Sequence, residues 1–142
     1  MRRVLVVDDH APSRAHVVTT LKQSRYELVG EAATGKLALV IARTTRPEVM
    51  LMAVGLPDID GIEAARQLMQ VQPLPIVLLT GHHDAVTVER AKQAGVMGYL
   101  VKPLRPAELT PAIELAITRF HDFSALRAEN SILKENLEAR KF

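Results

Sequence analysis

"VMLMAVGLPDIDG", residues 49–61, joins an apolar run to a tight acidic turn, and this junction indicates the fold of the whole chain. The run is apolar without alternation, which is typical of a strand covered by helices on both faces. The turn contains a glycine, a proline and two aspartates, residue types that favour tight turns. Such a strand and turn would present a side chain at the strand end, yet Ala53 offers only a methyl group.

Strand-like runs and helix-like segments alternate along the rest of the chain. Short apolar runs predict strands over residues 3–9, 26–33, 48–54, 75–81 and 98–103. Apolar residues at helical spacing predict helices over residues 12–24, 34–45, 61–71, 84–95 and from about 106 onward. Strict alternation favours a parallel sheet with right-handed crossovers. The sequence therefore predicts an α/β fold, a (βα)5 doubly wound five-stranded parallel sheet with an extended C-terminal helix.

The composition is that of one ordinary globular domain. The 142 residues are 48% hydrophobic and 24% charged, and the net charge of +2 is too small to indicate a nucleic-acid surface. Without cysteine the chain forms neither a disulfide nor a thiolate metal site. The N-terminal apolar run is too short for a signal peptide, and no run approaches the roughly 18 residues of a membrane span. We therefore expect a cytoplasmic protein without membrane contacts.

Polar residues stand at the ends of the predicted strands, where parallel sheets concentrate their chemistry. The strand-end residues are Asp8 and Asp9 in the first strand, Ala53 in the third, Thr80 in the fourth, and Lys102 and Pro103 in the fifth. Paired carboxylates bind Mg²⁺, and a hydroxyl and an ammonium group contact the oxygens of a phosphoryl group. Each residue alone is more often a turn or cap residue, so the interpretation depends on all of them meeting at one sheet edge.

The segments "VLVVDD", "LPDIDG", "LLTG" and "YLVKP" resemble the receiver domain of two-component response regulators, from residue 3 to about 120. The resemblance implies a flavodoxin-like or CheY-like fold, no enzymatic activity, Mg²⁺ as cofactor, and a sensor histidine kinase as partner in phosphorelay signalling. It assigns metal binding to Asp8, Asp9 and the Gly55 carbonyl, phosphate contacts to Thr80 and Lys102, switching to Thr80 and Tyr99, and a cis peptide bond to Lys102 and Pro103.

The same resemblance places the phosphoacceptor aspartate at position 53, where this chain has alanine. Alanine has no oxygen to accept a phosphoryl group or to bind a metal, so we expect no phosphorylation at Ala53 and weakened Mg²⁺ binding. Asp58 and Asp60 lie nearby, but we interpret both as turn residues and not as substitute acceptors.

Two explanations of Ala53 remain open. The chain is either a natural pseudo-receiver that acts as a phosphate-independent interaction platform, or a normal receiver with an Asp→Ala change. Retention of the other site residues favours the second explanation. A phosphatase-type hydrolase is a third hypothesis, which the missing nucleophile at Ala53 disfavours.

The C-terminal segment predicts a dimer. We assign residues 1–120 to the receiver domain and 121–142 to a coiled coil or helical linker that leads to a missing output domain. A heptad pattern places on one helix stripe Phe123, Leu126, Asn130, Leu133 and Leu137. One polar residue among apolar heptad positions fixes register and oligomer state, which favours a homodimer over a solvated linker helix.

This segment is similar to the connecting helix of ANTAR-type antiterminator regulators, which implies control of transcription through an RNA-binding output module. We expect the chain to be a piece of such a protein and to bind no RNA by itself. Within the same helix, Thr110 and Pro111 predict a cap and a fresh helix start. His82 and His83 are read as loop residues close to Thr80.

Overall fold

The computed structural model describes residues 1–81 and 84–139, apart from the side chains of residues 130–132 and 134–139. The strands are β1 (Arg3–Val7), β2 (Glu27–Ala32), β3 (Val49–Ala53), β4 (Ile76–Thr80) and β5 (Gly98–Val101). The helices are α1 (Ala11–Gln23), α2 (Gly35–Thr45), α3 (Gly61–Val71), α4 (Ala85–Gln93) and α5 (Pro106–Ala139). Strands and helices alternate as predicted, and each strand is two residues shorter than predicted, with five residues instead of seven in β3.

All neighbouring strands are parallel, and their order across the sheet is β2-β1-β3-β4-β5. The chain moves from β1 to one side to form β2, and then crosses to the other side of β1 to form β3. The carboxyl ends of β1 and β3 flank this switch point, where sheets of this class bind ligands. The predicted doubly wound α/β fold is confirmed.

Two apolar layers, one on each face of the sheet, form the core. Side chains alternate between the faces along each strand, so Leu5 and Val7 lie in one layer and Val4 and Val6 in the other. The first layer includes α2, α3 and α4, whose buried residues are mainly alanines, and the second includes α1 and α5. Because both faces are covered, β3 and β4 are buried along their whole length.

Side-chain caps fix where four of the helices begin, with His10 at α1 and three further caps in the loops after β2, β3 and β4. Thr34 caps α2, Asp60 caps α3 and Asp84 caps α4, and each accepts a hydrogen bond from a backbone N–H in the first turn. The cap predicted at Thr34 is confirmed. Because these caps stand in the loops after β2, β3 and β4, they fix the loops around the carboxyl edge of the sheet.

Helix α5 begins at Pro106, so the predicted fresh start at Thr110 and Pro111 is wrong. Pro106 suits the first helical position because its φ is fixed near the helical value and its missing N–H would have no partner there. Pro111 lies inside the helix, and the fully buried Leu109 and Ile113 on either side of it hold the helix against the sheet. In the ranges described, α5 and the other helices lack the combination of length and apolar character that a membrane span needs.

Candidate functional site

The register of the sheet gathers the predicted site residues at one edge. Pairing of β1 with β3 places Asp8 beside Ala53 at the carboxyl end of both strands. Pairing of β4 with β3 and β5 brings Thr80 and Lys102 to the same edge. Asp9 follows Asp8 and is exposed. Residues far apart in the sequence therefore form one small cluster around Ala53.

Asp8 is the centre of this cluster, because it is fully buried and three donors bind its carboxylate. Oδ1 accepts a hydrogen bond from the His10 backbone N–H at 3.0 Å. Oδ2 accepts from the Ser13 hydroxyl at 2.8 Å and from Lys102 Nζ at 2.7 Å. Burial raises the pKa of Asp8, but the hydrogen bonds from Lys102, Ser13 and the His10 backbone N–H, together with the positive charge of Lys102, outweigh burial and lower that pKa below its usual value. Asp8 is thus an ionised carboxylate paired with an ammonium group.

The segment around Lys102 is held by backbone contacts. The Lys102–Pro103 peptide bond is cis. The Lys102 backbone N–H donates to the Thr80 carbonyl at 2.7 Å, which continues the β4–β5 pairing beyond the strand end. Thr80 is buried and Tyr99 is 37% exposed, and both line one small cavity under α4. The two residues expected to form a switch therefore lie close together.

The groups expected to hold Mg²⁺ fit a divalent cation poorly as they are arranged. The Asp8 carboxylate already binds three donors, one of which is the ammonium group of Lys102. Asp9 and Gly55 are exposed, and Ala53 supplies no oxygen. Among the side chains that the structure describes, no three of histidine, aspartate or glutamate lie together as a metal site requires.

The β3–α3 loop is tied to helices on both sides. Asp58 does more than form a local turn, because its carboxylate accepts hydrogen bonds from the backbone N–H groups of Gly35 and Lys36 at 2.8 Å each. These bonds place a negative charge at the N-terminus of α2, which is favourable. Asp60 caps α3 and also lies 3.4 Å from Arg90 on α4. The contacts of Asp58 and Asp60 thus fix the C-terminal end of the loop that carries Gly55.

Comparison with known proteins identifies the family. The family model of the response regulator receiver domain matches residues 4–114. The chain belongs to this family. Over 140 residues, which are 99% of this chain and 68% of the relative, it is 44% identical to the transcriptional regulatory protein PdtaR of Mycobacterium tuberculosis (strain CDC 1551 / Oshkosh). Because the match spans 99% of the receiver chain, it extends into α5.

Solved structures share the fold of this receiver domain. The signal receiver domain of a modulated diguanylate cyclase from Desulfovibrio desulfuricans G20 has a TM-score of 0.78 and 32% identity, covering 85% of this chain and 97% of that one. A LuxR-family two-component response regulator from Aurantimonas sp. SI85-9A1 has a TM-score of 0.76 and 32% identity, covering 93% and 99%. The predicted CheY-like architecture is therefore confirmed.

The Asp58 contact gives the receiver domain a measurable pH dependence. Hydrogen bonds from the backbone N–H groups of Lys36 and Gly35 lower the pKa of Asp58 to about 2. A carboxyl group whose pKa is lowered on folding stabilises the fold fully above its unfolded pKa of about 4, and loses this contribution as the pH falls to about 2. Asp58→Asn will therefore flatten the loss of stability between these pH values, as measured by urea unfolding. Equal slopes for the two chains would contradict this role of Asp58.

Sequence analysis did not predict two residues that support the Asp8 cluster. Ser13 donates its hydroxyl to Asp8, and Arg14 donates to the Asp8 carbonyl oxygen at 2.6 Å while pairing with Glu31 at 3.1 Å. Both stand in the first turn of the helix after β1, where helical side chains point back towards the strand end. Their position in the first turn of the helix is therefore the sequence feature from which both residues could have been predicted.

The residues predicted for the dimer helix are only partly described. Phe123, Leu126 and Leu133 are 44%, 55% and 56% exposed on α5. The Arg127 guanidinium carbon lies 5.7 Å from the centre of the Phe123 ring, a cation–π distance. Four residues discussed from the sequence lie outside the described side chains: Asn130, Leu137, His82 and His83.

Proposed function

We propose that this receiver domain serves phosphorelay signalling in the cytoplasm but accepts no phosphate at position 53. The observation that carries the proposal is the position of Ala53, at the sheet edge where Asp8, Thr80 and Lys102 meet. A methyl group has no oxygen that can attack a phosphorus atom. The neighbouring Asp58 is bound to backbone N–H groups of α2, so it is a poor substitute acceptor.

Restoring a carboxylate at this position is the direct test. The Ala53→Asp chain will take up one phosphoryl group from a small-molecule phosphodonor in the presence of Mg²⁺, because the new carboxylate will lie beside Thr80 and Lys102, which can bind phosphoryl oxygens. Intact-mass measurement will detect the adduct. The unchanged chain and the Ala53→Asn chain, which has the size but not the nucleophile, are the controls and will stay unmodified. A phosphoryl adduct on the unchanged chain would overturn the proposal.

The proposed partner is a sensor histidine kinase. An open cleft of about 380 Å³ lies next to Lys102, between α1 and the β5–α5 loop, and its lining includes the apolar Leu100 and Leu104. A kinase segment docked there would bring a phosphohistidine close to the strand ends. Because the relative PdtaR is a transcriptional regulatory protein, we propose that the normal output is control of transcription, through an RNA-binding antitermination module outside these 142 residues.

A phosphate-independent pseudo-receiver is the second candidate function. Ala53 favours it directly, since a buried alanine stands at the strand end where a receiver would carry its phosphoacceptor. The two candidates differ in their response to the Ala53→Asp change. A pseudo-receiver binds its partner equally well with and without phosphodonor after that change, whereas a disabled receiver regains a phosphate-dependent difference.

We propose that the domain dimerises through the C-terminal half of α5. The exposed Phe123, Leu126 and Leu133 follow heptad spacing along a helix that continues beyond the part packed on the sheet. A second copy of the same helix would bury this apolar stripe in a coiled coil. The N-terminal half of the same helix packs on the receiver core. A shift of α5 on the core would therefore be transmitted to the dimer.

Charge substitution on the stripe tests the dimer. Leu126→Glu combined with Leu133→Glu will convert the dimer to a monomer, because four like charges would face one another across two helices. Ala128→Glu, on the opposite side of the heptad, is the matched control and will leave the dimer intact. Sedimentation equilibrium gives the mass directly. A monomer for the unchanged chain, or a dimer for the double variant, would contradict this assignment.

A further inference from the structure

The Asp8 carboxylate already has a cation of its own. Its Oδ2 atom lies 2.7 Å from Lys102 Nζ, and the carboxylate is fully buried while the lysine side chain is 28% exposed. Hydrogen bonds from His10 and Ser13 occupy further acceptor positions on the same carboxylate. An ionised carboxylate has about four acceptor positions in all. Few acceptor positions of the Asp8 carboxylate therefore remain for a metal ion.

Ala53 supplies no carboxylate that could compete with Asp8 for the lysine. The methyl group is 3% exposed and offers the ammonium group no negative partner. The charged side chains at this edge are then Asp8, Asp9, Lys102 and the mutually neutralising Arg14–Glu31 pair, with a sum of −1, whereas an aspartate at position 53 would make the sum −2. The backbone of Lys102 is anchored to Thr80, so the ammonium group stays within reach of Asp8. The field that attracts a divalent cation is therefore weakened, and one ligand is already paired.

We propose that the Lys102 ammonium group is the resident cation of this site and competes with Mg²⁺ for Asp8. The lysine neutralises the buried carboxylate in this chain, so the fold needs no divalent cation at its switch point. Mg²⁺ gains access to Asp8 only after the ammonium group has moved away. This inference rests on the proposed assignment of Asp8 and Asp9 as the metal-binding pair, and it is independent of kinase and output.

Removal of the ammonium group is the decisive experiment. Lys102→Met will raise the affinity for Mg²⁺ by at least about tenfold over the unchanged chain, because the buried carboxylate then lacks its counter-charge. Isothermal titration calorimetry with MgCl₂ at constant ionic strength gives the affinity. The thermal midpoint of Lys102→Met will be lower without Mg²⁺ and will recover as Mg²⁺ is added. The midpoint of the unchanged chain will barely respond.

Two controls separate the local effect from a general change in charge. Lys102→Arg keeps a cation at the site and will show no gain in Mg²⁺ affinity. Lys92→Met removes an exposed lysine on α4 and will behave like the unchanged chain. A gain in affinity for Lys92→Met as large as that for Lys102→Met would overturn the proposal.

The remaining outcomes distinguish the inference from the site assignment. Equal Mg²⁺ affinity in the unchanged and Lys102→Met chains overturns the inference. If Ala53→Asp then binds Mg²⁺ more tightly than both, the assignment of Asp8 and Asp9 as metal ligands stands. If Ala53→Asp also fails to bind, the metal assignment fails with the inference.

Discussion

Replacing Gly61 by alanine will lower the free energy of unfolding by about 3 kcal/mol, one of the two largest effects expected for a single substitution in this chain. A Cβ atom at Gly61 would lie 2.0 Å from the carbonyl oxygen of Ala53 and 3.0 Å from its carbonyl carbon. Both atoms belong to the backbone at the end of β3, so no flexible side chain can move to relieve the overlap. The Gly61 N–H also donates to the Val54 carbonyl at 2.8 Å, which holds the two segments together.

Gly55→Ala is the matched control, because it adds the same methyl group in the loop that leads to Gly61. No atom lies within 4 Å of a Cβ built at Gly55, so this change will alter stability by less than about 0.5 kcal/mol. Urea unfolding of the three chains at one protein concentration measures the difference. Similar stabilities for the two variants would show that the loop rearranges freely, and that the close approach of Gly61 to Ala53 does not constrain the site.

Ile113→Ala will also cost about 3 kcal/mol of unfolding free energy. Ile113 is fully buried on α5 and belongs to the apolar layer that includes Leu109 and the strand residues Val77 and Leu79. Truncation removes three carbon atoms from a close-packed position and leaves a cavity that the rigid sheet cannot fill. The same loss weakens the attachment of α5, and with it the connection between the receiver core and the proposed dimer stripe.

Leu115→Ala on the same helix provides the comparison for Ile113. Leu115 is 48% exposed, so its truncation will change the unfolding free energy by less than about 0.5 kcal/mol. Hydrogen exchange can then locate the effect, because loss of Ile113 packing will speed exchange along α5 more than along β1 or β3. Equal destabilisation by both changes would mean that packing on the sheet does not hold α5.

The fold was predictable because its signals are local. Each strand is a short apolar run and each helix shows its own spacing or cap, as at Thr34. The helix start near residue 106 was predicted correctly, but the fresh start predicted at Thr110 and Pro111 was wrong for the same reason. A proline such as Pro111 favours a helix start when the sequence is read locally, whereas burial of Leu109 and Ile113 holds one continuous helix across it.

The residues that meet at the candidate site could be predicted from the sequence, but many of their contacts could not. Strand-end residues of a parallel sheet share one edge, so Asp8, Thr80 and Lys102 had to meet once the strands were identified. The sequence could not show that Asp58 would bind the N-terminus of α2, 22 and 23 residues away. Such contacts depend on how the β3–α3 loop lies against a neighbouring helix, which periodicity does not encode.

The sequence by itself determined the alternation of strands and helices, the receiver family and the alanine at position 53. Only the tertiary structure decided which groups pair within that framework. Lys102 binds Asp8 across 94 positions of sequence, and Arg2 binds Glu114 across 112. The buried Tyr26 hydroxyl donates a hydrogen bond to the same Glu114. Burial and this hydrogen bond raise the pKa of Tyr26 to about 12. Pairing of charges is set by distance and burial, and both exist only after the sheet has fixed the register of its strands.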